Sequence, residues 1–394
     1  MKSFSSLENN TSYDINAPLR HCRLCGHEFF DKPLLRYENM PGAAQCLPDA
    51  ASLDSDKGVD LEVCQCSGCG LVQLNSNPVP YYKEVIRAAA FSEEMKIFRL
   101  NQFRNIVQKY SLQGKKIIEI GCGRGEYLSI MQQFGVDAYG LEYSDEAVSY
   151  CINDGLKVSR GFIDSGTYKI GDAPFDAFYI LNFLEHLPDL NSTLAGICNN
   201  LKDDGIGLVE VPNFDMILRN KLFSEFISDH LFYFTRETLG TTLMLNGFDV
   251  IEYNDVWYDY IISATVKKRK KIDMTHFYGC QTKLKAEIEQ YIRGYKNKKV
   301  AIWGAGHQAL TVISMTNLAD KIKYVVDSAP FKQGKYTPAT HIPIVPPETL
   351  DTDPVDAIIV MAASYSDEVA GIIRQKFGKS INISILRDFG LEVV

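Results

Sequence analysis

The chain has 394 residues, of which 46% are hydrophobic and 23% charged, and its formal net charge is −8. Because one hydrophobic core rarely grows past ~250–300 residues, this length predicts two or three domains, and the acidic balance argues against a dedicated nucleic-acid-binding protein. No apolar run approaches the ~20 residues that span a membrane, and no apolar signal region opens the sequence, so we expect a cytoplasmic protein with reduced cysteines and no membrane partner.

Paired cysteines mark the first structured segment, which follows a polar N-terminus, residues 1–20, that we expect to be flexible. Two C-x-x-C pairs supply four thiolates, the donor set that Zn²⁺ prefers in structural sites. The four are Cys22, Cys25, Cys66 and Cys69. Cys46 and Cys64 are rivals for a ligand position, and free buried thiols are the alternative, although they leave the paired spacing unexplained. Residues 21–74 are therefore predicted to form a small zinc-binding domain that the metal holds together.

The middle of the chain alternates strand-like and helix-like segments. A helix is predicted to start at Ser92, which is followed by two acidic residues. Short apolar runs predict strands at residues 116–120, 138–141, 175–181, 207–211, 249–253 and 260–266. Such alternation is typical of a mostly parallel sheet covered by helices on both faces, and we assign this domain to residues 75–270.

A glycine turn after the predicted strand 116–120 is the most informative motif. Three glycines at alternate positions let the backbone approach a ligand closely. They are Gly121, Gly123 and Gly125. Glu119 precedes the turn, and Glu142 ends the next predicted strand, where an acid can accept hydrogen bonds from ribose hydroxyls. The spacing differs from the dinucleotide fingerprint G-x-G-x-x-G, so we expect a nucleotide-type ligand without a pyrophosphate signature; a turn that serves only helix packing is the alternative.

Two histidine-containing segments are candidates for the chemistry. Asn182 and His186 follow the predicted strand 175–181, at the end of the strand where α/β sheets bind their ligands. Asp229 and His230 form the second segment. A histidine can act as a general base near neutral pH, and an adjacent acid can orient it. Hydrogen-bonded structural histidines are the alternative at both positions.

Residues 271–298 are predicted to be a linker helix, and residues 299–394 a second α/β domain. Its first strand ends in Gly304-Ala305-Gly306, and Asp327 follows the next strand. NAD binding would need a third glycine at a spacing that this loop lacks, so we favour a contact to a nucleoside diphosphate.

Together these motifs resemble the zinc-containing C-methyltransferases of nucleotide-linked deoxysugars, which use S-adenosylmethionine. The resemblance covers nearly the whole chain. Its segments are the two cysteine pairs, the glycine turn, which resembles motif I of class I methyltransferases, and residues 182–186, 205–213, 324–338 and 341–344. The resemblance implies an α/β fold in which a class I, Rossmann-like methyltransferase sheet follows a small zinc-binding domain and precedes a second Rossmann-like domain.

The resemblance also implies roles for individual residues. The cofactors would be S-adenosylmethionine and a structural Zn²⁺, and the substrate would be a nucleotide sugar. The oligomeric state stays open, and the sequence is compatible with a monomer. The cofactor-binding residues would be Glu119, Gly121, Gly123, Gly125, Glu142 and Asn182. His230 would remove a proton next to a ketone, Asp229 would orient it, and His186 would lie near the developing oxyanion.

The segments expected to bind the methyl acceptor depart from the family pattern. Where the family has a Tyr-x-Glu-His run, this chain has Ile227-Ser228-Asp229-His230. The family also has a tyrosine in the segment that corresponds to residues 86–92, and this chain has none there. The sugar, the methylated position and the choice between carbon and oxygen therefore stay open. The alternatives are an O-methyltransferase acting on a sugar hydroxyl and a scaffold that binds S-adenosylmethionine without catalysis.

Overall fold

The computed structural model describes residues 19–45, 47–84, 92–295, 299–388 and 390–394. It divides into two compact units, Met1–Lys270 and Lys271–Val394. Most of the predicted flexible N-terminus, the rival ligand Cys46 and the tyrosine-poor segment up to residue 91 lie outside the described residues. Within the described ranges, no helix combines the length and the apolar character that crossing a membrane requires.

The first unit mixes strands and helices along the chain. Its strands are β1 Leu35–Met40, β2 Val59–Gln65, β3 Val72–Leu74, β4 Lys116–Ile120, β5 Asp137–Glu142, β6 Lys157–Arg160, β7 Phe175–Leu181, β8 Leu201–Pro212, β9 Phe232–Tyr233, β10 Phe248–Val256 and β11 Ile261–Lys268. Its helices are α1 Glu93–Lys109, α2 Glu126–Gln132, α3 Asp145–Asn153, α4 Leu190–Asn199, α5 Phe214–Asn220 and α6 Arg236–Leu245. Strand β6 is absent from the prediction because its residues are mostly exposed and form no apolar run.

The larger sheet of this unit has the order β10-β11-β8-β7-β4-β5-β6. Within the group β4 to β8, every pair of adjacent strands is parallel. Strand β11 is antiparallel to both of its neighbours, β8 and β10. The chain moves outward from β4 through β5 and β6, then returns to the other side of β4 with β7. The crevice beyond the carboxyl ends of β4 and β7 is therefore a switch point, where α/β sheets bind their ligands. The expected mostly parallel, Rossmann-like sheet is confirmed.

Helices cover both faces of this sheet because its central strands are buried on both sides. Phe178 and Val209 face one core cluster. Tyr179 and Leu208 face the other, in which Phe103 of α1 packs. Helix α1 begins where the sequence predicts, since the Ser92 hydroxyl accepts a hydrogen bond from the Met95 N–H at 3.1 Å.

A smaller antiparallel sheet links the cysteine-bearing segment to the rest of the first unit. Its order is β1-β2-β3-β9, and Val72 of β3 pairs with Tyr233 of β9. Strand β9 begins one residue beyond the neighbour of His230, Leu231, and the Leu74 N–H donates to the Leu231 carbonyl at 2.9 Å. The predicted zinc domain thus shares a sheet with the segment that carries the candidate base.

The second unit is a six-stranded sheet with helices. Its strands are β12 Val300–Trp303, β13 Val325–Val326, β14 Ile344–Val345, β15 Ala357–Val360, β16 Asn382–Arg387 and β17 Gly390–Val393. Its helices are α7 Thr275–Arg293, α8 His307–Met315, α9 Thr349–Thr352 and α10 Ser366–Phe377. The order is β14-β13-β12-β15-β16-β17, and all pairs but β16 with β17 are parallel. Ile288 and Ile292 of α7, the predicted linker helix, are buried in the core of this unit.

Candidate functional site

The four predicted zinc ligands form one cluster. Their Sγ atoms all lie within 4.8 Å of one another. The Sγ atoms of Cys22 and Cys69 are 3.7 Å apart, and those of Cys25 and Cys66 are 3.4 Å apart, so each short contact joins one pair to the other. A tetrahedral Zn²⁺ with Zn–S bonds of ~2.3 Å separates its sulfurs by roughly 3.8 Å. The donor set and the spacing both fit that ion.

Nearby N–H groups point at these sulfurs. Cys22 Sγ accepts from the Leu24 N–H at 3.4 Å and from Gln73 Nε2 at 3.1 Å. Cys66 Sγ accepts from the Gly68 N–H at 3.3 Å. Such donors stabilise thiolates, the form of cysteine that binds a metal. The rival Cys64 lies outside the cluster, with its Sγ 3.9 Å from the Glu62 carbonyl.

The glycine turn after β4 has the backbone that its composition predicts. Gly121, Gly123 and Gly125 have φ of +72°, +56° and +79°, values that side-chain-bearing residues rarely adopt. A Cβ on Gly121 would lie 2.8 Å from the Phe183 ring. The turn is thus closed by packing against the segment after β7.

Glu142 braces this turn from the end of β5. One carboxylate oxygen accepts from the Gly123 N–H at 2.8 Å, and the other accepts from the N–H groups of Tyr143 and Ser144, both at 2.9 Å. A carboxylate offers about four acceptor positions, so roughly one remains for a ligand hydroxyl.

A cavity opens beside the turn. Of the predicted cofactor residues, Gly121 and Glu142 line it, together with Phe183 and Leu187 from the segment after β7. The rest of its lining is Lys83, Ile120, Leu141, Tyr143, Gly161, Phe162, Ile163 and Thr193. Its mixed aromatic and carboxylate lining suits a nucleoside.

Lys83 is a cavity residue that the sequence does not single out. Its Nζ lies 4.7 Å from the centroid of the Phe162 ring and 5.3 Å from that of Tyr143, within the range of cation–π attraction. Lys83 belongs to the connector before α1, far from the glycine turn along the chain, so no local motif marks it.

Two further predicted cofactor residues, Glu119 and Asn182, lie near the carboxyl ends of β4 and β7. Glu119 is buried, and its carboxylate accepts from the Tyr179 hydroxyl at 3.0 Å. Asn182 has φ of +48° and its N–H donates to the Glu210 carbonyl at 2.8 Å. Among the described residues, no group donates to the buried Asn182 Oδ1. This oxygen is free to accept a hydrogen bond from a ligand.

The tertiary structure brings the two candidate histidines together. The ring centroids of His186 and His230 are 4.7 Å apart in an edge-to-face arrangement. Burial lowers the pKa of His186 below its usual value. Burial, followed by the proximity of His186, lowers the pKa of His230 to about 3. Both imidazoles are therefore uncharged near neutral pH, which is the form that accepts a proton.

Asp229 does not contact His230 as the sequence predicts. Its carboxylate accepts from the Tyr81 hydroxyl at 2.7 Å and from the Ala44 N–H at 2.9 Å, and within the described chain no hydrogen bond joins it to the His230 ring. The reason is that neighbouring side chains of the tight turn point in different directions. The backbone carbonyl of Asp229 instead lies 2.8 Å from His186 Nδ1.

Tyr81 is a second residue that sequence reasoning missed. Its hydroxyl accepts from the Gln45 N–H at 3.1 Å while it donates to Asp229. Burial and the Asp229 carboxylate raise the pKa of Tyr81 to about 12, so the hydroxyl stays protonated. The proline-tyrosine composition of the connector gives no sign of this long-range contact.

In the second unit, the glycine loop 304–306 is hydrogen-bonded to Asp327, the acid that follows the next strand. Asp327 accepts from the Ala305 N–H at 2.8 Å, from the Ala329 N–H at 2.9 Å and from Lys332 Nζ at 2.8 Å. Three donors therefore hold the Asp327 carboxylate against its own loop.

Comparisons with known proteins match both units. A family model described as a methyltransferase domain matches residues 95–253, and one described as a C-methyltransferase C-terminal domain matches residues 270–381. The chain is 24% identical over 398 aligned positions to the C-methyltransferase NovU of Streptomyces niveus, covering 90% of this chain and 92% of that protein.

Other similarities are confined to part of the chain. A ubiquinone biosynthesis O-methyltransferase of Methylococcus capsulatus is 31% identical over 100 residues, which cover 24% of this chain and 42% of that one. The crystal structure of an S-adenosylmethionine-dependent methyltransferase from Clostridium acetobutylicum aligns with a TM-score of 0.38 and 13% identity, covering 48% of this chain and 96% of that chain.

Proposed function

Because the chain is an S-adenosylmethionine-dependent methyltransferase, we propose that it methylates a carbon atom next to the ketone of a nucleotide-linked sugar. The observation that carries the proposal is the pair of uncharged imidazoles, His186 and His230, packed edge to face. His186 belongs to the segment after β7, which also lines the proposed cofactor cavity through Phe183 and Leu187. Similarity to a C-methyltransferase over both units supports carbon as the acceptor.

We assign the cofactor to the cavity beside β4. S-adenosylmethionine supplies an electrophilic methyl group when it is bound. Glu142 would accept a ribose hydroxyl through its remaining acceptor position, and the backbone of the glycine turn would contact the amino-acid part. Asn182 Oδ1 and Glu119 are placed at the neighbouring strand ends to complete the site.

A substitution in the glycine turn tests this assignment. Gly121→Ala places a Cβ 2.8 Å from Phe183, and overpacking of this size costs ~1–3 kcal/mol, so the Kd for S-adenosylmethionine should rise about tenfold or more. Isothermal titration calorimetry measures it. The matched control is Gly135→Ala, where φ is +69° but nothing lies within 4 Å of the new Cβ. Equal affinity of the two variants would remove the turn from the cofactor site.

The proposed reaction begins with His230. Its neutral imidazole takes the proton from the carbon next to the ketone, and the electron pair of that C–H bond forms the enolate. His186 would face the enolate oxygen as negative charge develops there. That charge also raises the pKa of His230 in the transition state, which offsets its low value in the free protein. Asp229 acts through its carbonyl on His186 and through its carboxylate on Tyr81.

Hydrogen exchange tests whether carbon is the acceptor. With a nucleotide-linked keto sugar in D₂O and no S-adenosylmethionine, we expect deuterium to appear at the carbon beside the ketone, since His230 removes that proton before methyl transfer. Mass spectrometry or NMR of the recovered sugar measures it. Methyl transfer without exchange would indicate an O-methyltransferase. Cofactor binding without transfer to any nucleotide sugar would favour the scaffold.

We propose a structural Zn²⁺ at Cys22, Cys25, Cys66 and Cys69. The support is the closed four-sulfur donor set and the N–H groups directed at two of its sulfurs. With all four positions of a tetrahedral ion taken by cysteine, the metal has no open site for chemistry.

A further inference from the structure

Glu185 is a buried acid for which the proposed reaction has no role. It lies on the turn Leu184–His186 after β7 and is 1% exposed. No group in the described part of the chain donates to its Oε2, and its Oε1 is 3.9 Å from His186 Nε2. Leaving an ionised carboxylate in this position is costly, and burial raises the pKa of Glu185 to about 8. Near neutral pH Glu185 is therefore a neutral acid that carries a proton.

The tautomer of His186 creates a need for that proton. A backbone carbonyl only accepts hydrogen bonds, so the 2.8 Å contact with the Asp229 carbonyl places the ring proton on Nδ1. Nε2 of the neutral ring then carries a lone pair, which cannot donate to an enolate oxygen. His186 becomes an oxyanion-stabilising group only when Nε2 gains a proton.

We propose that Glu185 is the proton donor to His186 Nε2 during enolate formation. Closing the gap from 3.9 Å to hydrogen-bond distance requires a movement of about 1 Å. The O–H bond of Glu185 breaks as the N–H bond on Nε2 forms, and the positive charge of the resulting imidazolium stabilises the adjacent enolate. When the ketone re-forms after methyl transfer, the proton returns to Glu185. The proton from the substrate carbon stays on His230 until it leaves to solvent.

The charged and titratable groups around Glu185 fit this assignment. His186 is its neighbour on the same turn, and a ring nitrogen of His230 lies within 4.8 Å. Tyr260, beside β11, also faces it, but its hydroxyl is committed to Glu225 at 2.6 Å. Asp229 reaches His186 through its carbonyl. Because both imidazoles are uncharged in the free protein, no cation in this group holds Glu185 ionised.

The inference rests on the proposed function, and Glu185→Gln tests it in catalysis. The amide keeps the shape of the side chain but cannot give up a proton, so we expect kcat to fall about 10²-fold with an unchanged Kd for S-adenosylmethionine. In the unmodified protein kcat should fall as the pH rises above about 8, because Glu185 loses its proton there. That alkaline limb should vanish in Glu185→Gln and persist, shifted, in Glu185→Asp. Glu252→Gln, at the exposed Lys109 pair, is the matched control and should behave as the unmodified protein.

A second measurement works even if no sugar is methylated. Infrared difference spectra between the unmodified protein and Glu185→Gln should contain a protonated-carboxyl band that disappears above about pH 8. Absence of this band, or a Glu185→Gln variant with unchanged kcat and alkaline limb, would overturn the proposal. A divalent cation bound to Glu185, His186 and His230 would also overturn the proposal. Metal analysis would detect it as a second metal ion per chain that is absent from Glu185→Gln.

Discussion

Replacing His230 with alanine is expected to lower turnover at least ~10²-fold, the usual contribution of a general base, while the Kd for S-adenosylmethionine stays the same. The imidazole is uncharged near neutral pH and packs against His186, so its removal takes away the proposed proton acceptor. The His230 side chain is not among the residues that line the proposed cofactor cavity. Steady-state kinetics and calorimetry measure the two quantities separately.

His276→Ala is the matched control for this prediction. His276 lies exposed on α7, so its loss removes an imidazole without disturbing a buried side chain. Deuterium exchange should also stop in His230→Ala and continue in His276→Ala. If His230→Ala turns over at the rate of the unmodified protein, His230 has no part in the reaction.

Replacing Cys66 with serine is expected to unfold much of the first unit. Structural zinc sites contribute apparent binding free energies on the order of 10 kcal/mol, which is comparable with the whole stability of a domain. The loss should appear as a drop from one zinc ion per chain to none, together with a strongly lowered melting temperature. Metal analysis and thermal denaturation measure these outcomes.

Cys64→Ser is the matched control, because Cys64 is buried two residues before Cys66 but lies outside the four-sulfur cluster. It should keep the zinc ion. Zinc retained in Cys66→Ser and lost in Cys64→Ser would mean that Cys64 is the ligand. Retained stability without any bound metal would mean that the cluster is a group of free thiols.

Loss of the cluster should also disturb the turn that carries the proposed base, His230. Strand β3 pairs with β9 shortly after His230, and the Ser228 hydroxyl donates to the Pro41 carbonyl at 2.7 Å. The Ala44 N–H and Tyr81 hold the Asp229 carboxylate. The proposed zinc ion therefore stabilises the segment that positions the turn as well as the cysteines themselves.

Much of the fold follows from local patterns in the sequence. Strands β4 and β7 coincide with the predicted apolar runs, and the glycine turn after β4 has positive φ at all three predicted glycines. These features depend on residues close together in the chain, where apolar periodicity and the lack of a Cβ act directly. The C-x-x-C spacing is local in the same way, and the structure brings the two pairs together.

The chemistry of the site depends on contacts that no local pattern encodes. The Asp229 carboxylate accepts a hydrogen bond from Tyr81 and none from the His230 ring among the described contacts, and Lys83 reaches the proposed cofactor cavity from a distant connector. The sequence by itself determined the methyltransferase sheet, the cysteine pairs and the candidate histidines, because composition and spacing are sufficient for them. Only the tertiary structure decided which ring nitrogen of His186 carries its proton, because this depends on a carbonyl 43 residues away along the chain. It also decided that Glu185 Oε2 is buried with no donor among the described residues.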